Sequence, residues 1–224
     1  MAKKAKKILL IQPHSDDVLF SASHVILTVP EVCEVLTVEN NPKRVKEDEA
    51  LYGFLGIPYS HLTVDFDDQS YYEYHKKYKE VTPNDSFEHL TNVFGADTLN
   101  AITEQFSEWM IAWMKKNPGA EIYAPWGVGH PFHMFVRTLC ETVVPASQLR
   151  FYREFPHSYK RRSKVQVEKQ QQDYNLKTSY DIGELADVKW GLAKKFYRSQ
   201  SGLLFFEQGY IAKNLPEEVY TLDV

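Results

Sequence analysis

"KKILLIQPHSDDVLFSASHVIL", residues 6–27, carries two periodicities in succession. The apolar residues of "KKILLIQP" (6–13) are continuous, the mark of a strand covered on both faces; a half-exposed strand would alternate. Further on, Val18, Leu19, Ala22, Val25 and Ile26 recur at helical spacing, so a helix begins at or just after Ser15–Asp16. His14, Asp16 and Asp17 stand at the junction. Three ionisable side chains within four residues are costly to bury and repel one another unless something cationic joins them.

The same alternation continues outward. "CEVLTV" (33–38) reads as a second strand and "NPKRVKEDEALYGFLGIP" (41–58) as a helix, with Val45, Leu51 and Leu55 on its apolar side and Gly56 and Pro58 closing it. "SHLTVDF" (60–66) reads as a third strand. Leu99, Ile102, Phe106, Met110 and Trp113 predict a long helix, with Asp97 as its N-cap and Pro118–Gly119 as its stop. "EIYAPW" (121–126) and "QLRFYREF" (148–155) complete five predicted strands. Strands alternating with helices imply an α/β fold: a Rossmann-like parallel sheet flanked by helices on both faces, with ligands bound beyond the carboxyl ends of the strands.

Two stretches depart from this rhythm. Residues 67–92 are polar and tyrosine-rich with little periodicity, and are expected to form an ordered lid or an interface. Residues 156–182 read as an irregular, partly β excursion, after which Leu185, Val188, Leu192 and Phe196 return the chain to helix over 183–200. No internal repeat and no Gly-, Ser- or Pro-rich linker divides the chain, so residues 1–224 are expected to form a single domain.

Composition narrows the function classes. With 43% hydrophobic and 25% charged residues the chain is of soluble globular type. Its formal net charge of −4 argues against a nucleic-acid partner, and "KRRSK" (160–164) reads as solvated surface. Cys33 and Cys140 form no CxxC pair and read as small buried apolar residues. "MAKKAKK" has the charge of a signal peptide, but "ILLI" is too short for its apolar region, and no stretch reaches the length of a membrane span. A cytoplasmic protein is expected.

The chemistry gathers at a second cluster. "PWGVGHPFH" (125–133) follows the fourth strand, so His130 and His133 should lie at the same sheet edge as His14, Asp16 and Asp17. Zinc takes imidazole nitrogen and carboxylate oxygen, and a catalytic zinc keeps three protein ligands and an open position. Five candidates leave two groups over for proton transfer and charge stabilisation. Taken alone, "SDD" could be a helix cap, and the two histidines could simply bond backbone. Their coincidence at the ends of two predicted parallel strands favours a joint site. "GVGHPF" lacks the third glycine of a dinucleotide fingerprint, and there is no GxSxG elbow.

"PHSDDVLFSAS" resembles the AHPDD(E) signature of the PIG-L/LmbE-like zinc de-N-acetylases, and "GHPFH" is similar to that family's later HPDH motif. "RVKEDEALYGFLGI" matches its R-x-x-E…L-G helix through Arg44, Glu47, Leu55 and Gly56, and "DVKWGLAKKFYRSQ" resembles its late K…A…SQ helix. The four motifs follow in order over nearly the whole chain. The resemblance implies His14, Asp17 and His133 as ligands of one divalent metal, most often Zn2+, although two histidines and an aspartate also accept iron or cobalt. It implies Asp16 as general base and then acid, and His130 as a stabiliser of the oxyanion. Arg44 and Asp68 become candidates for substrate contact. Ser15 replaces the usual proline, Val18 stands where many members carry Glu, and Phe132 replaces the HPDH aspartate, which removes a possible partner for a neighbouring histidine, so the surroundings of the ligands must differ.

The expected function is removal of an N-acetyl or other N-acyl group from an amino-sugar conjugate, such as one of N-acetylglucosamine, or a related small molecule. The alternatives are a ligand-binding domain on the same scaffold that has lost catalysis, and a metal hydrolase acting on another bond. Homo-oligomerisation is left open.

Overall fold

Strand β1 (Ile8–Gln12) is an inner strand of the sheet. In a computed structural model that describes residues 6–64, 87–159, 164–171, 174–200 and 215–222, its apolar run is buried on both sides. Leu9 and Ile11 enter one core with Leu36, Ile122 and Phe106, while Leu10 enters another with Val18, Val35 and Trp190. Each fully buried aliphatic side chain is worth roughly 1.5–3 kcal/mol relative to exposure. That double burial explains why the run does not alternate.

β1 pairs in parallel with β2 (Cys33–Thr37) on one side and with β4 (Glu121–Pro125) on the other. β3 (Tyr59–His61) extends the sheet beyond β2, and β5 (Leu149–Tyr152) beyond β4, both in parallel. The expectation of a parallel sheet, drawn from the alternation of the first five strands, holds for those five. β6 (Tyr174–Tyr180) and β7 (Glu217–Leu222) join at the β5 edge, each antiparallel to its neighbour, in the order β3-β2-β1-β4-β5-β7-β6. The sheet is therefore mixed. β6 lies in the stretch read as a partly β excursion, and β7 was not foreseen.

The helices cover both faces of this α/β sheet. On one face lie α1 (Asp17–Ser21), α2 (Ser23–Thr28), α3 (Pro42–Leu55) and a late helix, α8 (Leu185–Phe196). On the other lie α4 (Phe87–Phe94), α5 (Ala96–Lys116) and α6 (Pro131–Val143), with Val167 of the short α7 (Lys164–Gln170) at the margin. Among the described residues, no helix is long and apolar enough to cross a membrane.

Three local expectations are corrected. The helix after Asp16 is two short helices broken at Ala22, because the Glu217 carboxylate accepts the Ser23 hydroxyl at 2.5 Å and the His24 N–H at 2.9 Å and so starts α2 afresh. The long helix begins two residues earlier than Asp97 suggests, with Gly95 at φ 80° as its N-cap and Asp97 in the first turn. Of residues 67–92, the described part from Phe87 is the start of α4; 67–86, Asp68 among them, fall outside the described residues, as do Lys160–Ser163 of the basic cluster. Cys33 and Cys140 are buried free thiols, and burial pushes Cys33 up to about 12.

Candidate metal centre

The strand order reverses at β1, whose two neighbours are β2 and β4, and the loops leaving the carboxyl ends of β1 and β4 meet there. The first loop is built from the strand end upward. Gln12, fully buried, accepts the Val18 N–H at 3.2 Å and the Tyr52 hydroxyl at 3.0 Å through Oε1, and donates through Nε2 to Thr37 and Asp48, both at 2.7 Å. This anchors α1 beside the sheet. Asp16 then turns the chain at φ 99°, the one non-glycine residue with positive φ among the described residues. Such a backbone persists only where its surroundings over-determine it.

Those surroundings include Arg44 of α3. Its Nη2 donates to the Ser15 carbonyl at 2.8 Å and to Asp16 Oδ1 at 3.3 Å, and its Nη1 to Glu39 Oε1 at 3.1 Å. α3 can present Arg44 here because Asn41 caps its first turn, accepting the Lys43 and Arg44 N–H groups, with Pro42 preset at the first position. Burial pushes Asp16 well above the ordinary carboxylate range, an effect that Arg44 opposes and Asp17 reinforces. Arg44, a candidate for substrate contact, thus also braces the loop and the Asp16 carboxylate.

The second loop leaves β4 at Trp126, and His130 occupies the N-cap position of α6, with Pro131 first in the helix. His133 follows one turn in, fully buried. The two loops bring His14 Nδ1 to 3.0 Å from His133 Nε2, and Asp17 Oδ2 to 3.3 Å and 3.4 Å from those same nitrogens. Asp17 Oδ2 also accepts the His14 backbone N–H at 2.8 Å. Burial works against ionising Asp17, but the two histidines outweigh it and hold the carboxyl far below its ordinary range.

The donor set fits a small divalent cation. Bonds of about 2.0–2.1 Å in a tetrahedron place neighbouring ligand atoms about 3.3–3.4 Å apart, and three atoms here already have nearly that spacing. A looser set also exists: ligand atoms of His14, His130 and His133, all three buried, lie within 4.8 Å of one another. Three buried histidines can therefore hold a metal ion, with Asp17 closing the tighter triangle.

Two residues of the centre are absent from the sequence reading. Glu154, completely buried just past β5, places Oε1 3.5 Å from His133 Nδ1 and accepts the Gly127 N–H. His157, in a one-turn 3-10 helix, lies edge-on to both His130 and His133 with ring centroids 5.0 Å away. Phe132 packs with its ring centroid 5.3 Å from that of His14.

No family model and no curated protein matches the chain. Among solved structures it is similar to GalB, the 4-carboxy-2-hydroxymuconate hydratase of Pseudomonas putida KT2440. The identity is 11% and the TM-score 0.47, over 98% of this chain and 97% of that one. So distant a likeness assigns neither substrate nor residue roles.

Proposed function

We propose that this chain is a metal-dependent hydrolase of the PIG-L/LmbE-like type, on a Rossmann-like scaffold, that removes an N-acetyl or N-acyl group from an amino-sugar conjugate or related small molecule. The observation that carries the reading is the triangle of His14 Nδ1, Asp17 Oδ2 and His133 Nε2, with edges of 3.0–3.4 Å, beside a second carboxylate, Asp16, that is held separately. A structural site needs no such spare carboxylate; a hydrolytic site does.

A divalent ion bound there, zinc by preference, would acidify a water and polarise the amide carbonyl. The rest falls to the chain. Asp16, steered by Arg44, takes a proton from the attacking water and returns it to the nitrogen of the departing amine. His130, at the wider edge of the cluster, donates to the carbonyl oxygen as negative charge develops there. His14, Asp17 and His133 supply the ligand atoms, and Asp68 is kept as a candidate for the sugar hydroxyls.

The test joins two measurements on the purified chain: metal content by mass spectrometry, and amine release from a panel of N-acetylated amino sugars. One equivalent of a divalent ion, with release abolished by a chelator and restored by zinc, is expected. A metal-loaded protein that releases no amine from any N-acyl compound would sink the deacylase and leave a ligand-binding domain.

A further inference from the structure

We infer that Glu154 is a positioning residue of the metal centre: it holds the His133 ring with its proton on Nδ1, leaving Nε2 to face His14 and Asp17. The inference deepens the metal-centre reading and rests on it for its functional meaning. His133 is a bridge between two carboxylates. Its Nε2 lies 3.4 Å from Asp17 Oδ2, and its Nδ1 lies 3.5 Å from Glu154 Oε1. Both His133 and Glu154 have no exposed surface.

A carboxylate with no access to solvent requires donors. Glu154 receives one from the Gly127 N–H, through the same oxygen that faces His133, while its other oxygen has no hydrogen-bond partner among the described residues. His133 Nδ1, a buried nitrogen without a hydrogen-bond partner among the described residues, is the ring nitrogen that faces Oε1, at 3.5 Å, so a proton carried there lies against the carboxylate. A neutral imidazole carries one proton, so placing it on Nδ1 leaves a lone pair on Nε2, the nitrogen inside the ligand triangle. Partners of this kind fix ring orientation and raise ligand basicity.

The location explains the substitution at Phe132. A carboxylate at that position would sit inside α6, one residue from His133. Instead Phe132 is buried against His14 and Phe135, and the carboxylate arrives from β5, the strand paired in parallel with β4. Gly127 completes the connection. Its φ of 79° aims the N–H at Glu154, and a Cβ there would meet Met134 Cα at 2.9 Å. The β4 loop, the end of β5 and the first turn of α6 are thereby locked around one carboxylate.

The test uses the full chain with Glu154→Gln, which keeps an oxygen for the Gly127 N–H but deletes the charge, and Glu154→Ala, which deletes the acceptor. Side-chain 15N NMR of the metal-free protein, with His133 assigned from a His133→Asn variant, reads the tautomer. Competition with a chelator reads zinc affinity. The wild type should show the Nδ1–H tautomer at His133, Glu154→Ala should lose that preference, and Glu154→Gln should bind zinc about 10–100-fold more weakly while remaining folded. If Glu154→Ala does not fold, Glu154→Gln alone decides by affinity and tautomer. A wild-type His133 protonated on Nε2, or variants with unchanged tautomer and affinity, would overturn the assignment. A wild type that binds no metal yet shows a Glu154-dependent Nδ1–H tautomer would overturn the metal centre and leave the positioning role standing.

Discussion

His14 Nδ1 and His133 Nε2 face each other at 3.0 Å across 119 residues of chain. Two buried imidazole nitrogens this close need either a shared proton or a shared cation, and Asp17 Oδ2 within 3.4 Å of both supplies the negative charge that a cation would favour. His14→Ala and His133→Ala should each remove most of the bound metal. The measurement is metal stoichiometry after gel filtration; a full equivalent retained in either variant would eliminate that residue as a ligand. Both rings are buried, so thermal unfolding should be followed alongside.

Gly127 permits a second test, one of architecture. Alanine there must adopt φ near 79° and press its Cβ to 2.9 Å from backbone at Met134, the part of α6 that follows His133. Backbone strain of this kind costs about 1–3 kcal/mol. Gly127→Ala should lower the melting temperature and weaken zinc binding together, because the same displacement moves the Glu154 anchor and the His133 helix. A variant with wild-type stability and affinity would show that the loop relaxes at no cost to the site.

The parts of the molecule that the sequence made legible are those whose signals are local. β1 and β4 read as strands because of apolar runs whose Leu9, Leu10, Ile11 and Ile122 are fully buried, and His14 and His130 lie in the loops that follow them. What escaped depends on distant neighbours. The break at Ala22 is set by Glu217, 193 residues from His24, and nothing within "SASHVIL" foretells it. Glu154 fell within a predicted strand, and its approach to His133 follows only from β5 pairing with β4. Glu39 was missed likewise: it lies two residues past β2 and reaches Arg44 and the Ser15 N–H across the loop. β7 is short and acidic at its start, and its pairing with β5 and β6 has no signature in "EEVYTL".

The same Glu217 makes stability depend on acid. Burial opposes its ionisation, but His24 and Lys189 outweigh this and hold its carboxyl at about 2, against an ordinary 4.5. A folded-state value below the unfolded one contributes stability that is fully present above about 4.5 and lost as pH falls toward about 2. The contribution is on the order of 3 kcal/mol. Glu217→Gln should therefore lower stability at neutral pH and flatten its dependence on pH within that window. Urea melts at stepped pH check this; a variant whose curve parallels the wild type from neutral to acid would remove Glu217 from the account. Lys189, which donates to Glu217 at 2.8 Å and to the Phe20 carbonyl at 2.6 Å, should be destabilising when replaced by Met, because the carboxylate is then left buried without its cation.

The two adjacent aspartates separate an enzyme from a binder. Asp17 Oδ2 is within 3.4 Å of both histidine nitrogens, whereas Asp16 Oδ1 is turned to Arg44 at 3.3 Å, a divergence produced by the left-handed backbone at Asp16. Asp17→Asn should weaken metal binding sharply. Asp16→Asn should leave the metal in place and lower the rate of amide hydrolysis by ~10²–10⁴, the usual worth of a positioned acid–base group. Metal stoichiometry and single-turnover rates on the same preparations distinguish the two. If Asp16→Asn lost its metal as readily as Asp17→Asn, both carboxylates would belong to the ion and the chain would have no free base. If it hydrolysed its substrate at the wild-type rate, proton transfer would have to be assigned to another group at the site, such as His130, His157 or Glu154.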